Sequence, residues 1–174
     1  MKKSKKIVFS ASLAALSAML ILLSKLIPMG VDVLPAIAGL FGAIIVIESG
    51  VKWAIAAYFV ASGISFIFGL NEASLLYTMF FGYYPIIKSL LEKIRIRAVE
   101  YVVKLLIFNA SVIAAYSILI PIFGLAALGF DNMTFVWIVL ALGNVFFILY
   151  DYGMTRLITM YFNNYHKHIK KLLK

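Results

Sequence analysis

The 174-residue chain is too apolar to be an ordinary soluble domain, because 64% of its residues are hydrophobic and only 13% are charged, against about 45–50% and about 25% in soluble proteins. Its net charge of +9 would suggest nucleic acid in a soluble protein, but the basic residues lie at the two ends and in short polar gaps. That distribution indicates membrane topology and contact with anionic lipid headgroups, and it argues against a nucleic-acid interface. The lack of cysteine excludes disulfides and thiolate chemistry.

Six apolar segments are long enough to cross the hydrocarbon core of a bilayer, which takes about 17 to 25 residues. They lie at 7–27, 33–49, 52–69, 73–91, 98–122 and 133–161, and a basic tail follows at 162–174. The first segment follows lysines as a signal peptide does, but it stays apolar beyond the small-residue motif at 15–18, which favours an uncleaved helix. The pattern predicts an all-α integral membrane protein: a compact bundle of six transmembrane helices in a single domain, 1–174.

The first segment carries four alanines at helical spacing. Ala11, Ala14, Ala15 and Ala18 stand at i, i+3, i+4 and i+7, so a helix places them on one face. Two interpretations are open. The alanines either pack inside the bundle or form a surface on which another membrane protein docks.

The second and third segments are rich in small residues at four-residue spacing. Such spacing lets helix backbones approach closely where no hydrophobic effect drives association. The pairs are Ala38 and Gly42, Gly39 and Ala43, and Ala57 and Ala61. We therefore expect these segments to pack tightly within the bundle.

The fourth segment contains FFGYYPIIKSLLEK. Pro85 lacks a backbone donor and favours a kink, while Gly82 just before it permits close approach. The kink either lets the helix pack against its neighbours or acts as a hinge that lets an outer gate move.

The basic residues predict the orientation of the chain. If the N-terminus is inside, the cytoplasmic stretches are 1–6, 48–52, 88–97 and the tail from about 162. Their basic residues are Lys2, Lys3, Lys5, Lys6, Lys52, Lys88, Lys93, Arg95, Arg97, Lys167, Lys170, Lys171 and Lys174. The opposite side has Lys25 with Asp32, Glu72 and Asp131. The positive-inside rule thus predicts a multi-pass protein of the cell membrane with both termini cytoplasmic.

Few polar groups lie at membrane depth. Asn109 and Asn144 stand midway along the fifth and sixth segments, and each either makes an interhelical hydrogen bond or contacts a ligand. Asp151 is the acid placed deepest by sequence position. Because an unpaired carboxylate there is unfavourable, we expect it to pair with Arg156, Lys88 or Lys104 rather than form a proton or ion site.

Two further pairs near the cytoplasmic side stand four residues apart. They are Glu48 with Lys52 and Glu100 with Lys104, and each can pair on a helix face or across a turn.

Acid, amide, hydroxyl and aromatic residues are gathered toward the outer side. Such a mixture is typical of a small-molecule pocket, although tyrosine and tryptophan at this level also form an interfacial belt. The candidate substrate-binding residues are Asp32, Asn71, Glu72, Tyr77, Tyr116, Trp137 and Asn144.

The sequence contains no set of residues that is typical of an enzyme active site. Its two histidines, His166 and His168, lie in the basic tail, so no histidine within the spans can act as a base or metal ligand. It also has no phosphate-binding glycine loop. We predict neither catalysis nor a metal or cofactor.

The chain resembles the substrate-binding S component of an energy-coupling factor (ECF) transporter in its layout. The shared features are six short helices, an alanine stripe on the first helix, and basic residues at the cytoplasmic ends. The most specific element is ASLAALSA, which is similar to the family's AxxxA motif through Ala11/Ala15 and Ala14/Ala18. A second is VDVLPAIAGLFGA at 31–43, in which an acid, a proline and a small-residue helix follow the first loop. The resemblance covers nearly the whole chain.

The resemblance implies a mechanism and partners. S components capture a vitamin or related small molecule outside, in a pocket formed by the first loop and the outer parts of helices four to six. They then topple in the membrane on a transmembrane T subunit that two cytoplasmic ATPases drive. The alanine face would be the docking surface for that T subunit.

Two other functions remain open. One is a membrane scaffold or assembly protein without a ligand, whose alanine face binds some other membrane protein. The other is a solitary small-molecule carrier driven by ions, which would require ionisable residues along a pathway, with Asp151 as the one candidate.

Overall fold

The computed structural model describes residues 3–27, 30–68, 72–123, 133–166 and 169, with the backbone alone at 115–116, 118–123, 133–136 and 138–139. Among these residues the structure is helical and contains no strand, which confirms the predicted all-α fold. The elements are α1 Lys3–Leu23, α2 Gly30–Glu48, α3 Val51–Phe68, α4 Glu72–Leu76, a π-helical turn Tyr77–Phe81, α5 Tyr84–Leu91, α6 Arg97–Phe123 and α7 Met133–Asn164.

Three helices in the described part of the chain are long and apolar enough to cross a membrane. They are Lys3–Leu23, Val31–Glu48 and Val51–Phe68. Their length and composition support a membrane protein. The predicted fourth segment, 73–91, is divided by the π-helical turn into α4 and α5.

The helix boundaries follow the apolar pattern closely. α1 begins at Lys3, four residues before the predicted apolar run, so the helix includes the polar residues that precede this run. α2 ends at a tight turn in which Gly50 has φ of 100° and its N–H donates to the carbonyl of Ile45 at 3.0 Å. Glycine adopts that left-handed conformation without a steric penalty, so α3 begins one residue later.

The described residues within 1–93 and 157–174 form one compact unit. Within it, α1 packs against α2 and α3, and α2 also contacts α4, the π-helical turn and α5. One core cluster consists of Ala18, Ile21, Ala38, Ala61, Ala73 and Tyr77. A second consists of Ala14, Ile45, Ala54, Ala57 and Ile86. The alanines allow the close backbone approach expected from the small-residue spacing.

Residues 94–156 form the other unit. Here α6 and the part of α7 up to Arg156 run antiparallel, since contacts pair Lys104 with Asp151, Phe108 with Phe147 and Asn109 with Asn144. The Phe108 and Phe147 rings stack with centroids 4.8 Å apart.

Candidate functional site

The π-helical turn places Tyr77 in the core of the first unit. Its side chain is only 2% exposed, and it packs in the cluster that contains Ala18 and Ala38. Its ring centroid lies 6.3 Å from that of Tyr58 on α3. Ser17 of α1 lies close to the Tyr77 hydroxyl group.

The turn itself is held by contacts with α3. The N–H of Gly82 donates to the carbonyl of Tyr77 at 2.7 Å, five residues back, and the Tyr58 hydroxyl donates to the carbonyl of Thr78 at 2.8 Å. A Cβ atom at Gly82 would lie 2.7 Å from Cδ2 of Tyr58 and 2.8 Å from Cε1 of Tyr77. The close approach foreseen at Gly82 is therefore to two tyrosine rings, and it requires glycine.

The residue after Tyr77 carries a buried hydroxyl group. The Oγ1 atom of Thr78 is buried and has no hydrogen-bond partner within the described ranges. Buried hydroxyls are normally satisfied, and π-helical turns are frequent at functional sites. Tyr77 is one of the predicted substrate-binding residues, and its part in binding stays a prediction.

The other candidate substrate residues of the first unit lie at helix starts. Asp32 is exposed in the first turn of α2, and Glu72 is exposed in the first turn of α4. These two helices pack against each other. Asn71 lies outside the described residues, as does Asp131.

In the second unit, Asn144 is engaged with another side chain. Its Nδ2 donates to Oδ1 of Asn109 at 3.1 Å and to the carbonyl of Leu140 at 2.8 Å. In return, Nδ2 of Asn109 donates to Oδ1 of Asn144 at 2.9 Å. Of the two interpretations of these amides, the structure contains the interhelical hydrogen bond. Trp137 is 65% exposed, and Tyr116 lies on α6 with only its backbone described.

A cluster of charged side chains lies closer to the start of α6 than the asparagine pair does. The Nζ atom of buried Lys104 is 2.6 Å from Oε1 of Glu100 and 3.2 Å from Oδ2 of Asp151. Lys104 is thus one of the three partners expected for Asp151, and the predicted pairing of Glu100 with Lys104 is present. Buried charges at membrane depth are normally paired in this way.

The sequence did not foresee the contacts of Glu48. Instead of Lys52, the partners found for its carboxylate are on α7 and the residues after it: the Tyr161 hydroxyl at 2.8 Å and Nδ1 of His166 at 2.7 Å. They are 113 and 118 residues away in the chain. No local spacing could have indicated this contact.

The alanine stripe of α1 is divided between core and surface. Ala14 and Ala18 are each 2% exposed and belong to the two core clusters, whereas Ala11 and Ala15 are exposed. Beside Ala15 runs an open apolar groove of about 490 Å³. It is lined by Ala15, Ala18, Met19, Leu22, Leu23, Leu26 and Ile64. The packing interpretation therefore applies to Ala14 and Ala18, whereas docking through Ala11 and Ala15 stays a prediction.

Comparisons with family models, with curated proteins and with solved structures find no match for this chain. Among the described residues, no group of three or more His, Asp or Glu side chains could hold a metal ion.

Proposed function

We propose that this chain is the substrate-binding S component of an ECF-type importer, which captures a vitamin or related small molecule outside the cell. The observation that carries the proposal is the division of the α1 alanines. Ala11 and Ala15 leave a smooth, exposed strip beside an apolar groove, although their neighbours Ala14 and Ala18 are buried in the core. In a membrane, helices dock where small residues allow close backbone contact.

In this proposal the chain crosses the cell membrane six times, with both termini in the cytoplasm. α1, α2 and α3 are three crossings, α4 to α5 together make the fourth, and α6 and α7 are the fifth and sixth. The basic residues near the starts of α1, α3 and α6 support this orientation through the positive-inside rule.

The ligand site that we propose lies in the first unit around Tyr77 and the unpartnered hydroxyl of Thr78, with Asp32 and Glu72 at nearby helix starts. Asn144, by contrast, is used in holding α7 to α6. The partners are a T subunit, two ATPases, the ligand and the lipid bilayer. The proposed function involves neither nucleic acid nor a cofactor.

A ligand-free membrane scaffold is the second candidate, and the second unit favours it. Asn109 bonds to Asn144, and Lys104 bonds to Asp151, across α6 and α7. These two polar pairs serve to pack the helices together. The same pairing of Asp151 with Lys104 gives no support to a solitary ion-driven carrier.

Docking is tested by co-expression with a T subunit and its ATPases. We expect Ala11→Leu/Ala15→Leu to abolish co-purification of the T subunit, because leucine at both positions removes the flat strip. Ala56→Leu, at an exposed alanine of α3, is the matched control and should retain the complex. Unchanged co-purification of the double variant would refute docking through this face.

Ligand capture is tested separately by mass spectrometry of small molecules that co-purify with the chain alone. An S component retains its ligand without the T subunit, whereas a scaffold retains none. Recovery of one specific compound, lost in the Tyr77→Phe/Thr78→Val variant, supports the proposed site. Its full retention in that variant would place the ligand elsewhere.

A further inference from the structure

The carboxylate of Glu48 lies at the end of α2 and is nearly enclosed, with its side chain 4% exposed. A buried carboxylate requires hydrogen-bond donors. Two of them come from the C-terminal part of the same unit: the hydroxyl of Tyr161 and Nδ1 of His166. The last turn of α7 is thereby tied to the turn between α2 and α3.

The neighbouring elements carry positive charge at this point. Lys6 of α1 donates from Nζ to the carbonyl of Ser49 at 3.3 Å, Lys5 precedes it, and Lys52 stands in the first turn of α3. Lysine ordinarily keeps its charge between pH 5 and 8, whereas histidine is the side chain whose charge ordinarily changes in that range. His166 is the histidine at this contact.

We propose that Glu48, Tyr161 and His166 form a pH-sensitive clasp that holds the C-terminal segment to the α2–α3 turn. When the imidazole is protonated, an imidazolium cation faces the Glu48 carboxylate at 2.7 Å, and charge-assisted hydrogen bonds are about twice as strong as neutral ones. When the imidazole is neutral, it has a single ring proton. The hydrogen bond to Glu48 then forms only in the tautomer that carries this proton on Nδ1. The clasp therefore tightens as the pH falls.

The clasp directly precedes a strongly basic stretch of the sequence. The sequence after His166 contains Lys167, Lys170, Lys171 and Lys174. Release of the clasp at higher pH would free Tyr161 and His166 from the α2–α3 turn.

The experiment measures release of the segment by spin-label mobility in the full chain, reconstituted in lipid nanodiscs. The chain has no native cysteine, so a label at Asn163→Cys, on an exposed position of α7, is unique. We expect the ratio of mobile to immobile label to be about fivefold lower at pH 5.5 than at pH 8, the difference between a charge-assisted and a neutral hydrogen bond.

Substitutions separate the clasp from other causes. His166→Gln and Glu48→Gln should remove the pH dependence, while Tyr161→Phe should raise the mobile fraction at both pH values and keep their ratio. His168→Gln and Tyr165→Phe, the latter at an exposed tyrosine, are matched controls that should behave as the wild type does. A wild-type ratio that is the same at both pH values, or a pH dependence that survives in His166→Gln, would overturn the proposal.

Discussion

Asn109 on α6 and Asn144 on α7 exchange two side-chain hydrogen bonds, of 2.9 and 3.1 Å, in a reciprocal amide pair. Interhelical hydrogen bonds of this kind contribute about 0.6 kcal/mol on average in membrane proteins, and up to about 1.7 kcal/mol. We expect Asn109→Leu and Asn144→Leu each to lower the free energy of unfolding.

The double variant should lose less than the sum of the two, because no amide is then left without its partner. Unfolding by denaturing detergent in mixed micelles measures the difference, with Asn163→Leu at an exposed position as the control. Strictly additive losses would show that the amides do not stabilise the α6–α7 contact together.

A second prediction concerns Lys104, whose ammonium group is shared by two carboxylates. Lys104→Met would leave Glu100 and Asp151 close together without the cation between them, and breaking a buried pair costs about 3–5 kcal/mol. Asp151→Asn retains the contact of Lys104 with Glu100, so it should be the milder change. Thermal unfolding in detergent, with Lys93→Met at an exposed lysine as control, ranks the variants. If Asp151→Asn were the more harmful, Asp151 would have a role beyond this pairing.

Gly82 provides a third prediction. In Gly82→Ala, the new methyl group would overlap the rings of Tyr58 and Tyr77, and overpacking of a core typically costs about 1–3 kcal/mol. The Tyr58→Leu/Gly82→Ala variant should recover part of that loss. Gly63→Ala is the matched control, since no atom of another described element lies within 4 Å of a Cβ atom there. It should be neutral or stabilising, because alanine favours a helix over glycine. Equal melting temperatures for the two alanine variants would contradict the packing described at Gly82.

Adjacent alanines of α1 supply a fourth prediction. Ala14→Leu inserts a large side chain into the cluster around Ile45 and Ile86, so we expect it to lower the melting temperature markedly. Ala15→Leu, one residue further on and exposed, should leave it within the error of the measurement. Comparable melting temperatures would mean that α1 is rotated from its described orientation.

The sequence predicted those features of the fold that depend on local composition. Long apolar runs gave the positions of α1 to α3, α6 and α7 to within a few residues, and four-residue spacing gave the pair of Glu100 with Lys104. For Asp151, the sequence predicted three possible basic partners but could not choose among them. The choice depends on the register of the helices, which is set by packing across the whole interface.

Other features could not be found in the sequence. The π-helical turn depends on the rings of Tyr58 and Tyr77 packing against Gly82, which a local pattern does not contain. Helical spacing placed Ala11 and Ala14 on one face, but the position of the neighbouring helices decides which of them is covered. The contact between Glu48 and His166 joins residues more than a hundred positions apart.

The buried interior of the first unit has an unusual consequence for its mutational tolerance. Alanine has no side-chain rotamers to lose on folding and serine has few, so such a core is ordered at little cost in conformational entropy. Its buried small residues include Ala14, Ala18, Ala38, Ala43, Ala54, Ala57, Ala61, Ala73, Ser17, Ser24, Ser65 and Ser74. Removing atoms here creates little empty volume, whereas larger side chains must displace their neighbours, as a methyl group at Gly82 would. The first unit should therefore show the reverse of the profile of a soluble core, in which truncations are the more damaging changes.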